Sequence, residues 1–270
     1  MEILWYNLFK KGGTPMIFDS HMHSNFSTDS SMNIEDAIKI GKDNNIGIII
    51  TDHMDLDYPI KDEFKFDIPS YFNEYEKYRS DKVKLGIEIG LTTSTVEANE
   101  NITKSYNFDF VLGSIHAVRG LDIYVDYIHQ GYNKKEFFTY YFEDMLKCIK
   151  LHDNFDSLSH IDYPCRYCKF DNNEILVSEY KDILSEIFTT LLNKGKILEL
   201  NTSRLHIKES NKALRDIYKL YMDLGGKYVT LGSDAHSHLN INRNFDLALS
   251  FIEDLGLKGV YFNKRKLEFF

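Results

Sequence analysis

The segment Phe18-Asp19-Ser20-His21-Met22-His23 decides how the fold of this chain is interpreted. It continues an apolar run that begins at Met16, and such a run predicts a strand. Successive side chains of a strand point to opposite faces, so His21 and His23 would share a face and could bind one metal ion. In a chain with ten histidines, a single His-x-His pair also arises by chance. The metal interpretation therefore depends on the other strands.

Strand-like and helix-like segments alternate along the rest of the chain. We predict further strands at 46–50, 83–89, 108–114, 155–159, 196–200 and 228–232, and a short terminal strand at 260–262. We predict helices at 33–45, 70–79, 92–106, 134–151, 177–193, 211–224 and 244–255. This alternation is typical of a parallel sheet covered by helices. There is no GxGxxG motif and no P-loop, which disfavours a nucleotide-binding open sheet.

Potential metal ligands follow nearly every predicted strand. They are His21, His23, Asp29, His53, Glu88, His116, His160, Asp234 and His236. In an α/β barrel the strand ends meet at one mouth, where the active site lies, so the pattern favours a barrel. So many imidazoles and carboxylates in one mouth would be costly to bury without cations. Nitrogen and oxygen ligands suit zinc, manganese or iron, and the residue types do not choose among these metals.

Composition limits the class of protein. The chain has 270 residues, 43% of them hydrophobic, and a net charge of −9, which suits one large domain without a basic surface for nucleic acid. No apolar run approaches the roughly 18 residues of a membrane helix, so we expect no membrane partner. Cys165 and Cys168 form a C-x-x-C pair and Cys148 stands alone, which predicts free thiols in a cytoplasmic protein. Residues 1–15 are expected to be an N-terminal tail or an extension from an alternative start.

The chain resembles the PHP (polymerase and histidinol phosphatase) superfamily. The resemblance rests on His21-x-His23, Asp52-His53, Glu88, His116, His160 and Ser233-Asp234-Ala235-His236. It extends from about residue 16 to the C-terminus. The chain has the length and one-domain layout of the histidinol-phosphatase branch. The PHP domain of a bacterial replicative polymerase instead belongs to a much longer chain. The resemblance implies a single domain at 16–270 with a distorted seven-stranded (β/α) barrel.

The resemblance also implies a site with three divalent transition-metal ions. His21, His23, Glu88 and Asp234 would hold the first ion, Asp29, His53 and His236 the second, and Glu88, His116 and His160 the third. At Asp29 many relatives have histidine, so this ligand departs from the common pattern. Glu88, Asp234 and His236 would be the ligands most directly involved in catalysis.

The implied reaction is the hydrolysis of a small phosphate monoester, L-histidinol phosphate, to L-histidinol and phosphate in histidine biosynthesis. Metal ions would activate a water molecule and offset the negative charge of the transferred phosphoryl group. Arg166 and Arg204 follow the fifth and sixth predicted strands and are the candidate phosphate-binding residues. For Arg119 and Arg243, also in rim loops, we expect solvated surface charges.

Two other functions fit the same residues. A PHP phosphoesterase acting on a nucleotide or another small phosphate ester would have the same ligands. A PHP module that binds metal without catalysis is the third possibility, and the intact ligand set argues against it. The remaining histidines are expected to have ordinary structural or surface roles, with His238 the nearest to the site; they are His129, His152, His206 and His238.

Overall fold

A parallel sheet forms the centre of the molecule. The computed structural model describes residues 16–58, 60 and 63–270, so the extension predicted at 1–15 lies outside the described residues. Seven parallel strands neighbour one another in chain order: Phe18–Asp19 (β1), Gly47–Ile50 (β2), Val83–Gly90 (β3), Phe110–Ser114 (β4), Ser157–Leu158 (β5), Ile197–Asn201 (β6) and Tyr228–Gly232 (β7). The α/β fold predicted from the alternation is confirmed.

In the described part of the chain, seven α-helices cover the sheet. They are Ile34–Asp43 (α1), Ile68–Tyr75 (α2), Val96–Ser105 (α3), Lys134–Leu151 (α4), Val177–Asn193 (α5), Lys208–Asp223 (α6) and Phe245–Leu255 (α7). The bounds of α4 and α5 match the prediction, and α4 begins at a capping box between Asn133 and Glu136. Helix α2 begins earlier than predicted because the Asp67 side chain accepts a hydrogen bond from the Ser70 backbone at 2.8 Å. Among the described residues, we find no helix with the length and apolar character needed to cross a membrane.

Backbone hydrogen bonds join the first and last of the seven parallel strands. Just beyond β1 and β7, the bonds Ser20 N–H to Leu231 O, Asp234 N–H to His21 O and His23 N–H to Ala235 O each measure 2.8 Å. They join β1 to β7 near the carboxyl ends of both strands, as the predicted barrel requires. We call this junction the seam.

A hairpin extends the sheet beside β7. Lys258–Asn263 (β8) pairs in parallel with the first residues of β7, and Lys266–Phe269 (β9) pairs antiparallel with β8. Strand β9 was not predicted. The turn before it places Lys264 and Arg265 in the left-handed region, with φ of 50° and 61°. It lacks the Asn-Gly or Asp-Gly signal that usually reveals such a hairpin.

The strands bury side chains on both faces. Ile48 and Ile50 of β2 belong to the large core that packs against the helices, whereas Ile49 belongs to a smaller cluster with Phe18 and Phe110. This alternation follows from the strand period of two. The sheet is thus packed on both sides, and the polar side chains at the strand ends are fixed by a rigid frame.

Candidate metal centre

The nine predicted ligand residues lie at the carboxyl ends of the parallel strands or in the loops that follow them. His53 begins a two-residue strand, His53–Met54, that pairs in parallel with the end of β3. The register places His53 directly beside Glu88, and this pairing explains why the two side chains meet. The structure brings all nine residues into one cluster.

Glu88 lies at the centre of the cluster and is fully buried. Ser114 donates its hydroxyl to Glu88 Oε1 at 2.6 Å. Five imidazole nitrogens lie 2.8–3.6 Å from the carboxylate oxygens of Glu88: those of His21, His23, His53, His116 and His160. A single carboxylate thus contacts every histidine of the cluster except His236, as a bridging ligand would.

Asp234 closes one side of the cluster. Its Oδ1 lies 3.4 Å from the Nε2 atoms of both His21 and His23, and these two nitrogens are 3.2 Å apart. Asp234 has a φ of 56°, in the left-handed region that aspartate adopts more readily than most residues. The residues implied for the first ion are therefore in mutual contact.

Asp29 lies at the outer edge of the cluster. Its Oδ2 is 3.0 Å from His236 Nε2 and 3.7 Å from His53 Nε2. The ring of His23 stacks between those of His53 and His236, with centroid distances of 4.1 Å to each. Asp29 and His236 are 39% and 30% exposed, whereas the other ligand side chains are buried. Asp29 and His236 line a cavity that opens beside the cluster.

The cluster has the properties of a metal site. Glu88 Oε2 and His53 Nδ1 are buried and contact each other at 2.8 Å, but neither makes a hydrogen bond of good geometry among the described residues. Buried polar atoms are normally hydrogen-bonded, so these two atoms are candidate metal ligands. Five overlapping groups of three side chains within the described chain have ligand atoms close enough to share one ion. The donor atoms are all nitrogen or oxygen, and such a set fits a divalent transition metal.

The charges of the site are strongly coupled. Burial opposes protonation of His21, but Glu199 and two other carboxylates outweigh it and hold the pKa of His21 well above its usual value. The ring of His23 lies between those of His53 and His236, and burial together with these two imidazoles holds the pKa of His23 well below its usual value although Asp234 and Glu88 oppose this. Despite burial, the neighbouring imidazoles keep the pKa of Glu88 well below its usual range. The cluster therefore attracts positive charge, and metal binding would displace protons from the imidazoles.

Two carboxylates that contact the ligands were not predicted. Asp55 Oδ1 lies 2.9 Å from His116 Nδ1, in space that is free because residue 90 is glycine. Glu199 Oε1 lies 2.7 Å from His21 Nδ1. Asp55 could have been found from its place two residues after His53, and Glu199 from its position as a lone acid within the apolar strand β6.

Arg166 borders the cluster. It ends the short 3₁₀ helix Tyr163–Arg166 after β5, and its Nη1 donates to Asp234 Oδ2 at 2.6 Å. Its Nε and Nη2 are buried, and within the described chain they have no hydrogen-bond partner. Arg166 lines the same cavity as His53, His116 and His236. Two guanidinium donors beside this cavity are thus buried without a partner among the described residues.

Arg204 does not lie at this cavity. Its Nη1 donates to Asp162 Oδ2 at 2.7 Å, and its Nη2 donates to Glu174. Both terminal nitrogens of the Arg204 guanidinium therefore donate to carboxylates, which favours a structural role over the predicted contact with phosphate. Arg243, expected to be a solvated charge, is half-buried, and its buried Nε has no partner in the part of the chain that is described.

The other predicted features have ordinary surroundings. His152 is buried with its Nε2 2.8 Å from the Thr92 carbonyl oxygen, and His206 contacts Asn244. Of the residues that the structure describes, neither His129 nor His238 belongs to a group that could hold a metal ion. Cys148, Cys165 and Cys168 are free, as predicted, and all three are buried.

Comparison with known proteins identifies the family. The model of the PHP domain matches residues 19–203. The chain belongs to the PHP domain family. A protein named probable histidinol-phosphatase from Clostridium acetobutylicum is 49% identical over 94% of this chain and 100% of its own length. Histidinol-phosphatase from Lactococcus lactis subsp. lactis is 31% identical over 81% of this chain and 83% of its own.

A solved structure shares the fold of this PHP domain. Histidinol phosphate phosphatase from Lactococcus lactis subsp. lactis, described as complexed with zinc, L-histidinol and phosphate, superposes with a TM-score of 0.86 at 28% identity. The match covers 93% of this chain and 98% of that one, so the fold extends well beyond residue 203. The family resemblance noted in the sequence is confirmed.

Proposed function

We propose that this chain is a metal-dependent histidinol-phosphatase that hydrolyses L-histidinol phosphate to L-histidinol and phosphate in histidine biosynthesis. The observation that carries the proposal is the cluster of imidazoles around Glu88 in a PHP domain. Relatives that match 94% and 81% of the chain are named probable histidinol-phosphatase and histidinol-phosphatase, which supports the choice of substrate. The buried free cysteines support a reducing compartment such as the cytoplasm.

Three divalent ions, zinc, manganese or iron, would be held by the ligands at the strand ends. We assign His21, His23, Glu88 and Asp234 to the first, Asp29, His53 and His236 to the second, and Glu88, His116 and His160 to the third. The side chains within each set are in contact, and the division among the ions follows the family resemblance. When bound, such ions supply charge neutralisation for the phosphoryl group and activation of a water molecule.

Arg166 and Asp234 form the part of the site that the chain itself provides for the phosphate. The Oδ1 atom of Asp234 faces His21 and His23, and its Oδ2 atom accepts a hydrogen bond from Arg166. The guanidinium of Arg166 is therefore held against the cluster. Its free Nε and Nη2 can donate to two oxygens of one phosphate, as the planar guanidinium geometry allows. Glu88, Asp234 and His236 are the ligands that we place nearest the reaction.

The cavity beside the cluster suits a small cationic substrate. It is lined by Asp122 and by aromatic residues, among them Tyr58, Phe64, Tyr124 and Tyr167. Histidinol carries an ammonium and an imidazole group, and aromatic rings with a carboxylate attract such cations. This lining supports an amino-alcohol phosphate over a nucleotide, whose own base and sugar carry no positive charge.

The proposal is tested by a substrate screen combined with metal analysis. Purified protein, reconstituted with zinc, manganese or iron, is assayed for phosphate release from L-histidinol phosphate, nucleoside monophosphates and a phosphodiester. We expect three ions per chain and highest kcat/KM with L-histidinol phosphate. Preference for a nucleotide would favour the alternative phosphoesterase, and bound metal without any turnover would indicate a non-catalytic module.

A further inference from the structure

Glu199 is a buried carboxylate that the proposed reaction does not use. It lies within β6 with no exposed surface, where an unpaired ionised carboxylate would be costly. Three donors meet its two oxygens: His21 Nδ1 at 2.7 Å, the His160 backbone N–H at 2.9 Å and Asn201 Nδ2 at 3.3 Å. The first two of these donors belong to residues of the metal centre.

The contact with His21 sets the orientation of that imidazole. A carboxylate accepts hydrogen bonds, so the ring nitrogen that faces Glu199 carries the proton when the ring is neutral. The opposite nitrogen, Nε2, is then the unprotonated ligand atom, and it faces Glu88 and Asp234 at 3.3 and 3.4 Å. Carboxylate partners of this kind fix the tautomer and orientation of metal-binding histidines.

The second oxygen of Glu199 acts on a different ligand. It accepts the backbone N–H of His160, whose ring Nε2 lies 3.2 Å from Glu88 Oε1. His21 belongs to the set assigned to the first ion, and His160 to the set assigned to the third. One rigid carboxylate therefore touches the ligands of two ions.

The surroundings of Glu199 are built to hold it in place. A Cβ on residue 232 would collide with Glu199 Oε1 and with the Cβ of His21, so only glycine leaves room for this contact. The backbone carbonyl of Glu199 accepts the hydroxyl of Tyr218 from helix α6. The position of the carboxylate is thus fixed from both strand and helix.

We propose that Glu199 is a positioning residue that holds the ligands of the first and third ions in register, so that the two ions bind as a coupled pair. This role rests on the proposed metal site. It can be tested separately, because a change at Glu199 leaves all nine ligands intact.

Glu199→Gln tests the coupling with little change in size. An amide offers one acceptor oxygen and one NH₂ donor, so at least one of the three converging donors would face another donor. We expect roughly 10- to 100-fold weaker metal binding, the usual effect of losing such a partner. The readout is metal content by elemental analysis after dialysis against graded chelator. The variant should lose two ions together at a chelator concentration at which the wild type keeps three.

Glu174→Gln is the matched control. Glu174 is also buried, and its carboxylate accepts from Arg204 and Ser210, so the same chemical change is made outside the nine ligands. It should lower the Tm and leave the metal content unchanged. Glu199→Asp keeps the charge, and we expect it to retain more metal than Glu199→Gln. If the glutamine variant does not fold, Glu199→Asp must still show weaker binding than the wild type.

Three results would overturn the inference. Wild-type metal retention in Glu199→Gln would show that the carboxylate does not position the ligands. Equal metal loss in Glu199→Gln and Glu174→Gln would assign the effect to general destabilisation, and loss of a single ion would contradict the coupling. A wild type that binds no metal would instead reject the proposed function itself.

Discussion

Arg166→Lys tests whether the free donors beside the metal centre bind the phosphate of the substrate. In the structure one donor of Arg166, Nη1, is used by Asp234 at 2.6 Å, and two buried donors are free. Lysine can keep the contact with Asp234, but its single ammonium cannot reproduce two parallel contacts with one anion. The substitution therefore keeps the charge and removes the geometry.

The expected size of the effect follows from the strength of one hydrogen bond between the guanidinium and the phosphate. A hydrogen bond to a charged group contributes about 1.5–3 kcal/mol, and a rate changes tenfold for each ~1.4 kcal/mol. Removal of one such bond predicts a kcat/KM lower by roughly ten- to a hundred-fold. If the bond strengthens as the phosphoryl group is transferred, the effect lies in kcat, and if it is equally strong in the bound substrate, the effect lies in KM.

The assay is steady-state release of phosphate from L-histidinol phosphate, together with inhibition by inorganic phosphate. Arg204→Lys is the control, because both sides of the Arg204 fork already contact Asp162 and Glu174. That variant should lower the Tm, by about 2–4 °C for each kcal/mol of stability removed, and keep the wild-type phosphate inhibition constant. Wild-type kinetics in Arg166→Lys, or an equal kinetic loss in both variants, would refute the assignment.

Three further predictions concern the metal ligands. Glu88→Gln should abolish nearly all turnover while the far-UV circular dichroism stays native, because the neutral amide weakens two ion sites at once; substantial remaining activity would contradict the bridging role. Asp29→Ala should lose one ion by elemental analysis whereas Asp29→His should keep it, and identical metal content in both variants and the wild type would place Asp29 outside the coordination sphere. Chelation should lower the Tm of the wild type, because metals bind the folded state, and a Tm independent of chelator would argue that the ions do not stabilise the fold.

The ligand residues were predictable because parallel strands place their carboxyl ends at a common edge. His53 and Glu88 come from different strands. The alternation of strands and helices in the sequence is enough to expect the two residues near each other. The assignment of each residue to an ion came from the family resemblance and stays a prediction. The free nitrogens of Arg166 could not be foreseen, since they depend on which side chains fill the space around the guanidinium.

Other structural features depend on tertiary packing, which a local sequence pattern does not reveal. Arg204 and Arg166 occupy similar positions after their strands, yet Arg204 meets Glu174, which lies 30 residues away in the chain. The support that Glu199 gives to His21 spans 178 residues. Hairpin strand β9 was missed because its turn uses lysine and arginine in a conformation that most sequences reserve for glycine or asparagine. In each case a tertiary contact overrides the local signal.

The seam between β1 and β7 has a consequence for biosynthesis of the protein. Ser233 contacts the backbone of His21, and the two residues are 212 positions apart in the chain. A ribosome makes the N-terminal part first, so His21 and His23 leave the exit tunnel long before Asp234 exists. Until nearly the whole polypeptide has emerged, the first pair of histidines lacks Asp234, its carboxylate partner just after β7. We therefore expect nascent chains that stop before β7 to retain metal poorly, so that the finished protein, and not a growing one, acquires its ions.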